Sequence, residues 1–439
     1  MNNWNRKDLD FVWHPFTQMK DCVDQPNILI EKTRGIRLYD DKGNFYYDTI
    51  SSWWCNVHGH NHPAINQAIN RQLKSFEHVL FAGFTHKPAI GLAQKLVALS
   101  HPKLTKVFFS DNGSTAVEVA LKMSLQYRKL NGDTKRNGFI CLDHGYHGDT
   151  IGSMSVSGQS VFNQHFRDLL FPAHPLPSPY CYRCPMKLNP ASCGIACIRP
   201  LEKLLEQKAQ RITALIIEPL VLAAGGMIVY PKEYLEKAAR LCKKFGVHLI
   251  LDEVATGFGR TGKMFAYEHT PTVQPDFVCL SKGITAGYLP MGATLTTEEI
   301  YRAFYADYER LKTFFHGHTF TANPLACAAA LASLAIFEKE RTLEKLHAKA
   351  SVLHEGLERF LDLAIVGDVR RLGMIGAVEL VKNRKTKEPF PLKRRLGYEI
   401  YRKGLKHNLI LRPLGNIVYF YLPLSTTITE IKDILNRAY

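Results

Sequence analysis

The chain has 439 residues, 46% apolar and 22% charged, the balance of a globular protein with room for two or three domains at about 150 residues each. Its 56 Lys and Arg against 40 Asp and Glu give +16. The basic residues are scattered over predicted helix faces (Lys237, Arg240, Lys243, Lys244) or clustered in turns and at a helix start (382–387 and Lys393-Arg394-Arg395), with no nucleic-acid-binding motif, so a solvated basic surface is expected rather than a nucleic-acid partner. The longest apolar stretch, 213–230, is broken by Glu218, Pro219 and Gly225-Gly226, and MNNWNRKDLD has no apolar signal core, so a cytoplasmic protein without a membrane span is expected.

In chain order, residues 36–40 and 45–48 read as a hairpin around Asp41-Lys42-Gly43-Asn44. From about 53 to 330 strand and helix signals alternate, the pattern of a doubly wound sheet with helices on both faces. Residues 107–110 form a strand. After the turn Asp111-Asn112-Gly113, Ser114 begins a helix with Val117, Ala120, Leu121 and Leu125 on its apolar face. Strands follow at 139–142 and 214–217, then an amphipathic helix over 231–245 that stops at Gly246. Two continuous apolar runs, 247–251 and 277–280, read as buried parallel strands; Asp252 closes the first and Lys282 the second. Beyond 324 come two long helices (324–340 and 343–361), an alternating strand at 375–380, a helix near 395–406, and strands at 409–411 and 417–421. The expected fold is α/β. A large, mostly parallel, doubly wound sheet domain spans 53–330, and a small α+β domain is built from both chain ends, 1–52 and 331–439.

Ligands bind outside the carboxyl ends of the strands in an open α/β sheet. Asp252 and Lys282 both arrive at that edge, and together they are what pyridoxal 5'-phosphate requires. The amine condenses with the aldehyde, and the carboxylate keeps the ring nitrogen protonated, which makes the ring an electron sink. Singly, Lys282 reads as a surface lysine and Asp252 as a turn or cap residue; the pair at the ends of two buried strands, with Thr256-Gly257-Phe258-Gly259-Arg260-Thr261-Gly262 after the first, is far more specific. Asp111-Asn112-Gly113-Ser114-Thr115 adds a helix N-terminus suited to the cofactor phosphate. Within Gly145-Tyr146-His147-Gly148-Asp149, the Tyr146 ring could lie over a flat cofactor; in isolation it reads as a packed turn residue.

Six of the ten cysteines read as small core residues, Cys242 and Cys279 among them. The other four form Cys181-x2-Cys184-x8-Cys193-x3-Cys197 after the Pro-rich 177–180. That spacing suits either a four-thiolate zinc staple or reduced thiols packing a long loop, and no catalytic metal follows from it.

Across essentially its whole length the chain resembles the class III aminotransferases, enzymes of the fold type I pyridoxal-phosphate group. Trp13-His14-Pro15-Phe16-Thr17, Ser51-Ser52-Trp53-Trp54, Gly145-Tyr146-His147-Gly148-Asp149, Phe315-His316-Gly317-His318-Thr319-Phe320 and Leu411-Arg412-Pro413-Leu414-Gly415 are similar to the branch that aminates 8-amino-7-oxononanoate in biotin synthesis. The resemblance implies that Lys282 links to the cofactor and then moves the proton, and that Asp252 holds the ring nitrogen. It places Gly113 and Ser114 on the phosphate, and His318 and Thr319 on the cofactor of the other subunit of a homodimer with shared sites. Tyr146 would stack on the ring, with Trp53, Gly317 and Arg412 at the substrate; the planar fork of Arg412 suits a carboxylate. S-adenosylmethionine is the implied amino donor, with lysine the alternative, because Phe16 stands where S-adenosylmethionine users carry tyrosine. Another ω-aminotransferase or an aminomutase would lack the Trp53-Trp54 and Arg412 segments. A silent scaffold of the same fold would not need Lys282 and Asp252.

Overall fold

The structure, a computed structural model, describes residues 3–439. Near the N-terminus β1 (Ile30–Arg34), β2 (Arg37–Asp40) and β3 (Phe45–Tyr47) form an antiparallel sheet. Asp40 makes the β2–β3 turn: its carboxylate accepts from Lys42 N–H at 3.0 Å and Asn44 N–H at 2.8 Å, the side-chain mimicry of a backbone turn that favours Asp here.

The central sheet is built from β4 (Leu104–Ser110), β5 (Gly138–Leu142), β6 (His174–Leu176), β7 (Ile212–Ile217), β10 (His248–Asp252), β11 (Phe277–Leu280) and β12 (Gly292–Thr297), with a separate ribbon of β8 (Val221–Leu222) and β9 (Ile228–Val229). Its order is β4-β12-β11-β10-β7-β5-β6, parallel throughout except that β12 runs against both neighbours. Alternate residues of one strand enter different cores. Ile250 and Cys279 pack with Ala116, Val117 and Ala120 of the helix Gly113–Leu130, whereas Leu249, Leu251, Val278 and Leu280 pack with Leu235 and Ala238 of the helix Lys232–Phe245. A period of two with both faces covered explains why these strands are apolar throughout. The expected mostly parallel α/β architecture is the one observed, and Gly246 ends the second helix in the left-handed conformation (φ 62°), as its position predicts.

β12 gives no apolar run, because three of its six residues are threonine. Their hydroxyls are absorbed locally: Thr294 donates to Ala116 O at 2.7 Å and Thr296 to Asp276 O at 3.1 Å.

After the helices Pro324–Lys339 and Thr342–Glu358, β13 (Val366–Leu372), β15 (Glu388–Pro389) and β16 (Ile417–Tyr421) all pair antiparallel with β14 (Ile375–Asn383). The two chain ends are laced together. Tyr47 N–H donates to Asn408 O at 2.7 Å, Tyr421 N–H to Thr49 O at 2.7 Å, and the Thr49 hydroxyl to Ile410 O at 2.6 Å. The strand expected at 409–411 is not formed; only one bridge, Tyr47 to Leu409, is present. β3 ends at Tyr47, and Pro413 offers no N–H to extend a ladder. Among the described residues no helix is long and apolar enough to cross a membrane.

Candidate active site

The carboxyl ends of β10 and β11 and the N-terminus of the helix Gly113–Leu130 open onto one cavity of about 580 Å³, lined among others by Trp54, Gly113, Ser114, Tyr146, His147, Glu218, Asp252 and Lys282. That volume lies within the range of about 300–1,000 Å³ usual for small-molecule sites. Five of the sequence-predicted residues, Lys282, Asp252, Tyr146, Gly113 and Ser114, therefore meet here.

Asp252 is the last residue of β10 and is 3% exposed. One carboxylate oxygen accepts from His147 Nδ1 at 2.6 Å, and the other from Val254 N–H at 3.0 Å. A carboxylate can only accept, so the Nδ1–H tautomer of His147 is the one that fits. Two donors fix the carboxylate plane and leave its charge available to a ligand cation.

Lys282 lies two residues past β11, not at its end, on a tight turn where its own φ is 44°. That left-handed backbone in a non-glycine residue is the kind of strain that collects at functional sites. Its Nζ sits 5.1 Å over the Trp54 ring. Burial pushes the ammonium below its ordinary range, against the charges of Asp252 and Glu218, so more of the amine is neutral and nucleophilic.

At the helix start Asn112 caps Thr115 N–H at 3.0 Å, and Ala116 N–H bonds to Asn112 O. The N–H groups of Gly113 and Ser114 have no intrachain acceptor among the described residues, which leaves donors for an anion at the positive end of the helix dipole. A Cβ at Gly113 would stand 2.6 Å from a Val254 methyl, so the close approach there requires glycine.

Tyr146 is held at both ends: its N–H donates to Glu218 at 3.1 Å and its hydroxyl to Asp149 at 2.8 Å. Burial and the Asp149 charge push the phenol well above its usual range, so it stays protonated. Glu218, 3% exposed, also accepts from Ala223 N–H at 2.9 Å, and burial raises its carboxyl to about 7.

The remaining predicted residues lie outside this lining. Trp53 is half-exposed, edge-on to Phe16 at 5.5 Å, and the Arg412 guanidinium covers its ring at 4.6 Å while donating to Phe16 O at 3.4 Å. Phe16 and Arg412 line a second cavity of about 600 Å³. Gly317 and Thr319 are exposed, and His318 Nδ1 lies 2.8 Å from Asp111.

Sequence reasoning missed three contributors. His147 stood inside a quoted motif without a role. Glu218 follows β7, beside β10, and the strand-end rule that found Asp252 applies to it equally. Asp149 completes the Tyr146 support, while Trp54, of the predicted Trp53-Trp54 pair, is the one that lines the cavity.

The donor set matches pyridoxal 5'-phosphate at three points: an oriented buried carboxylate for the ring nitrogen, a buried lysine amine for the aldehyde, and free helix-terminal N–H groups for the phosphate. Residues 19–438 match the model of the family described as Aminotransferase class-III, and the chain belongs to that family. It is 47% identical over 432 residues to the adenosylmethionine-8-amino-7-oxononanoate aminotransferase of Geobacter sulfurreducens, covering 98% of this chain and 94% of that one. A crystal structure of the enzyme of that name from Methanocaldococcus jannaschii superimposes with a TM-score of 0.95 at 42% identity, covering 99% of this chain and 97% of that one. The omega transaminase from Pseudomonas jessenii in complex with PMP gives 0.94 at 32%, covering 100% and 97%.

Proposed function

We propose that this chain transfers an amino group from S-adenosylmethionine to 8-amino-7-oxononanoate, yielding 7,8-diaminononanoate in biotin synthesis, with pyridoxal 5'-phosphate as cofactor. The observation that carries the chemistry is the meeting of Lys282, the His147–Asp252 pair and the Gly113–Ser114 helix end in one cavity. The full-length identity to enzymes of that name carries the substrates.

When bound, the cofactor supplies an electron sink and holds the amino group between the two half-reactions. The protein does the rest. Lys282 would act as the base at the donor carbon and hold the proton there, and burial, which disfavours its charged form, suits it to that role. Asp252, steadied by His147, balances the positive ring nitrogen. Gly113 and Ser114 anchor the phosphate by N–H donation, and Tyr146, unable to tilt between Glu218 and Asp149, limits movement of the ring. Arg412 offers its fork to the carboxylate of the keto substrate, and Trp53 beneath it walls the pocket.

The working unit is a homodimer in the cytoplasm. What supports a second copy is a set of exposed apolar side chains, Leu80, Phe84, Phe315 and Phe320, on two segments that touch through the His78–Phe320 ring contact at 5.0 Å. Gly317, His318 and Thr319 lie on that face and would serve the partner's cofactor.

Lysine as donor remains the second reading. Phe16 puts a ring edge, not a hydroxyl, against Trp53 and Phe162. Losing a hydrogen bond to a charged ligand costs about 1.5–3 kcal/mol, which weakens S-adenosylmethionine use without abolishing it. Incubation with the keto acid and each donor separately, read by mass spectrometry, tests the assignment. 7,8-Diaminononanoate should form with S-adenosylmethionine; formation with lysine alone would refute the donor, and absence with both would refute the acceptor assignment.

A further inference from the structure

Between β6 and the helix Arg199–Lys208 the chain runs from 177 to 195 through turns alone, with only the short helical turn Ala196–Ile198 at its end. Structureless loops this long inside a compact domain are uncommon and need a tie of their own. The first part has one. Arg183 Nε donates to Glu379 at 2.6 Å, and Lys387 Nζ donates to Tyr182 O at 2.6 Å, which pins 180–183 to the C-terminal sheet. Residues 184–193 have no such anchor, and they carry half of the cysteines.

All four cysteines of the loop line one small cavity of about 30 Å³ under Pro179, Ile195 and Pro231, large enough for a single ion or water. None is in a disulfide. Among the described residues no three ligand side chains yet converge on one point. Cys181 Sγ lies 4.0 Å from Pro179 O and Cys193 Sγ 3.6 Å from Pro190 O, each resting on its own loop.

We propose that Cys181, Cys184, Cys193 and Cys197 form a closed four-thiolate zinc site that cross-links this loop to the helical turn at its end. The Cys-x2-Cys and Cys-x3-Cys pairs have the spacing at which two neighbouring thiolates share a tetrahedral ion, and a closed set leaves no position for a reacting water. Binding breaks four S–H bonds, releases four protons to water and forms four Zn–S bonds, with no change in oxidation state. The site is structural, and it stands whether or not the substrates above are correct.

The test is metal analysis of the holoenzyme purified under reducing conditions without metal-affinity resin. One zinc per chain is expected, with an X-ray absorption shell of sulfur at about 2.3 Å. Native alkylation followed by mass spectrometry should find these four thiols protected until a chelator is added. The Cys184→Ser/Cys193→Ser variant should lose the zinc; if it fails to fold, the wild-type measurements decide alone. Absence of stoichiometric zinc after incubation with excess zinc, equal zinc in a folded variant, or disulfides among these cysteines would each overturn the proposal.

Discussion

Lys282 and Asp252 were legible because each follows an apolar run whose length and bounding residues identify a buried strand, and topology then fixes where its end points. His147 was not, since its partner lies 105 residues away and only the folded chain joins them. Glu218 has a consequence for stability. In the unfolded chain its carboxyl ionises near 4.5, whereas in the fold burial raises it to about 7. Between those values the folded protein keeps a proton that the unfolded chain has lost, so stability falls as pH rises through the window, by roughly 3 kcal/mol at most. Glu253, also raised to about 7, and Asp276, raised to about 6, add slopes of the same sign. Glu218→Gln should therefore gain on the wild type as pH is raised from about 5 to about 8 in denaturant unfolding. A stability difference independent of pH would show that Glu218 does not hold its proton.

The segment Ser51–Trp54 shows what patterning alone cannot find. All four residues have positive φ (52°, 44°, 71° and 75°), a left-handed turn that costs roughly 1–2 kcal/mol per residue. The Asp48 carboxylate accepts from Ser52 N–H and the Ser52 hydroxyl, each at 2.8 Å. Arg260, from the Gly-rich segment after β10 and 1% exposed, donates to Ser51 Oγ, Trp54 O, Asn56 O and Leu422 O. That segment was legible as a turn; the role of its arginine was not, because the acceptors come from both chain ends. Arg260 thereby holds the turn that carries Trp54 into the lining of the first cavity. Arg260→Leu should destabilise by about 3–5 kcal/mol, since it strands three buried carbonyls. Arg260→Lys should lose less, because the ammonium still reaches part of the set. Unchanged urea midpoints in both variants would remove Arg260 from this role.

At the scale of the whole molecule, the alternation of strands and helices identified the α/β architecture, while the antiparallel β12 was hidden by its threonines and the 409–411 segment was overread from its apolar residues. The lining of the first cavity contains no residue from 317–319, so their predicted roles depend on a second copy. Mixing a Lys282→Ala chain with a Thr319→Ala chain, each impaired alone, should restore activity, because half of the sites in a heterodimer then hold both native residues. No recovery after demonstrated subunit exchange would argue against shared sites.

The central claim is that this cavity accepts an amino group from S-adenosylmethionine and passes it to 8-amino-7-oxononanoate. Its most direct test is the visible spectrum of the cofactor-loaded protein through a single half-reaction. Saturating S-adenosylmethionine alone should bleach the visible band, and subsequent 8-amino-7-oxononanoate should restore it. A spectrum unmoved by S-adenosylmethionine but bleached by lysine would contradict the donor, and one that the keto acid then failed to restore would contradict the acceptor.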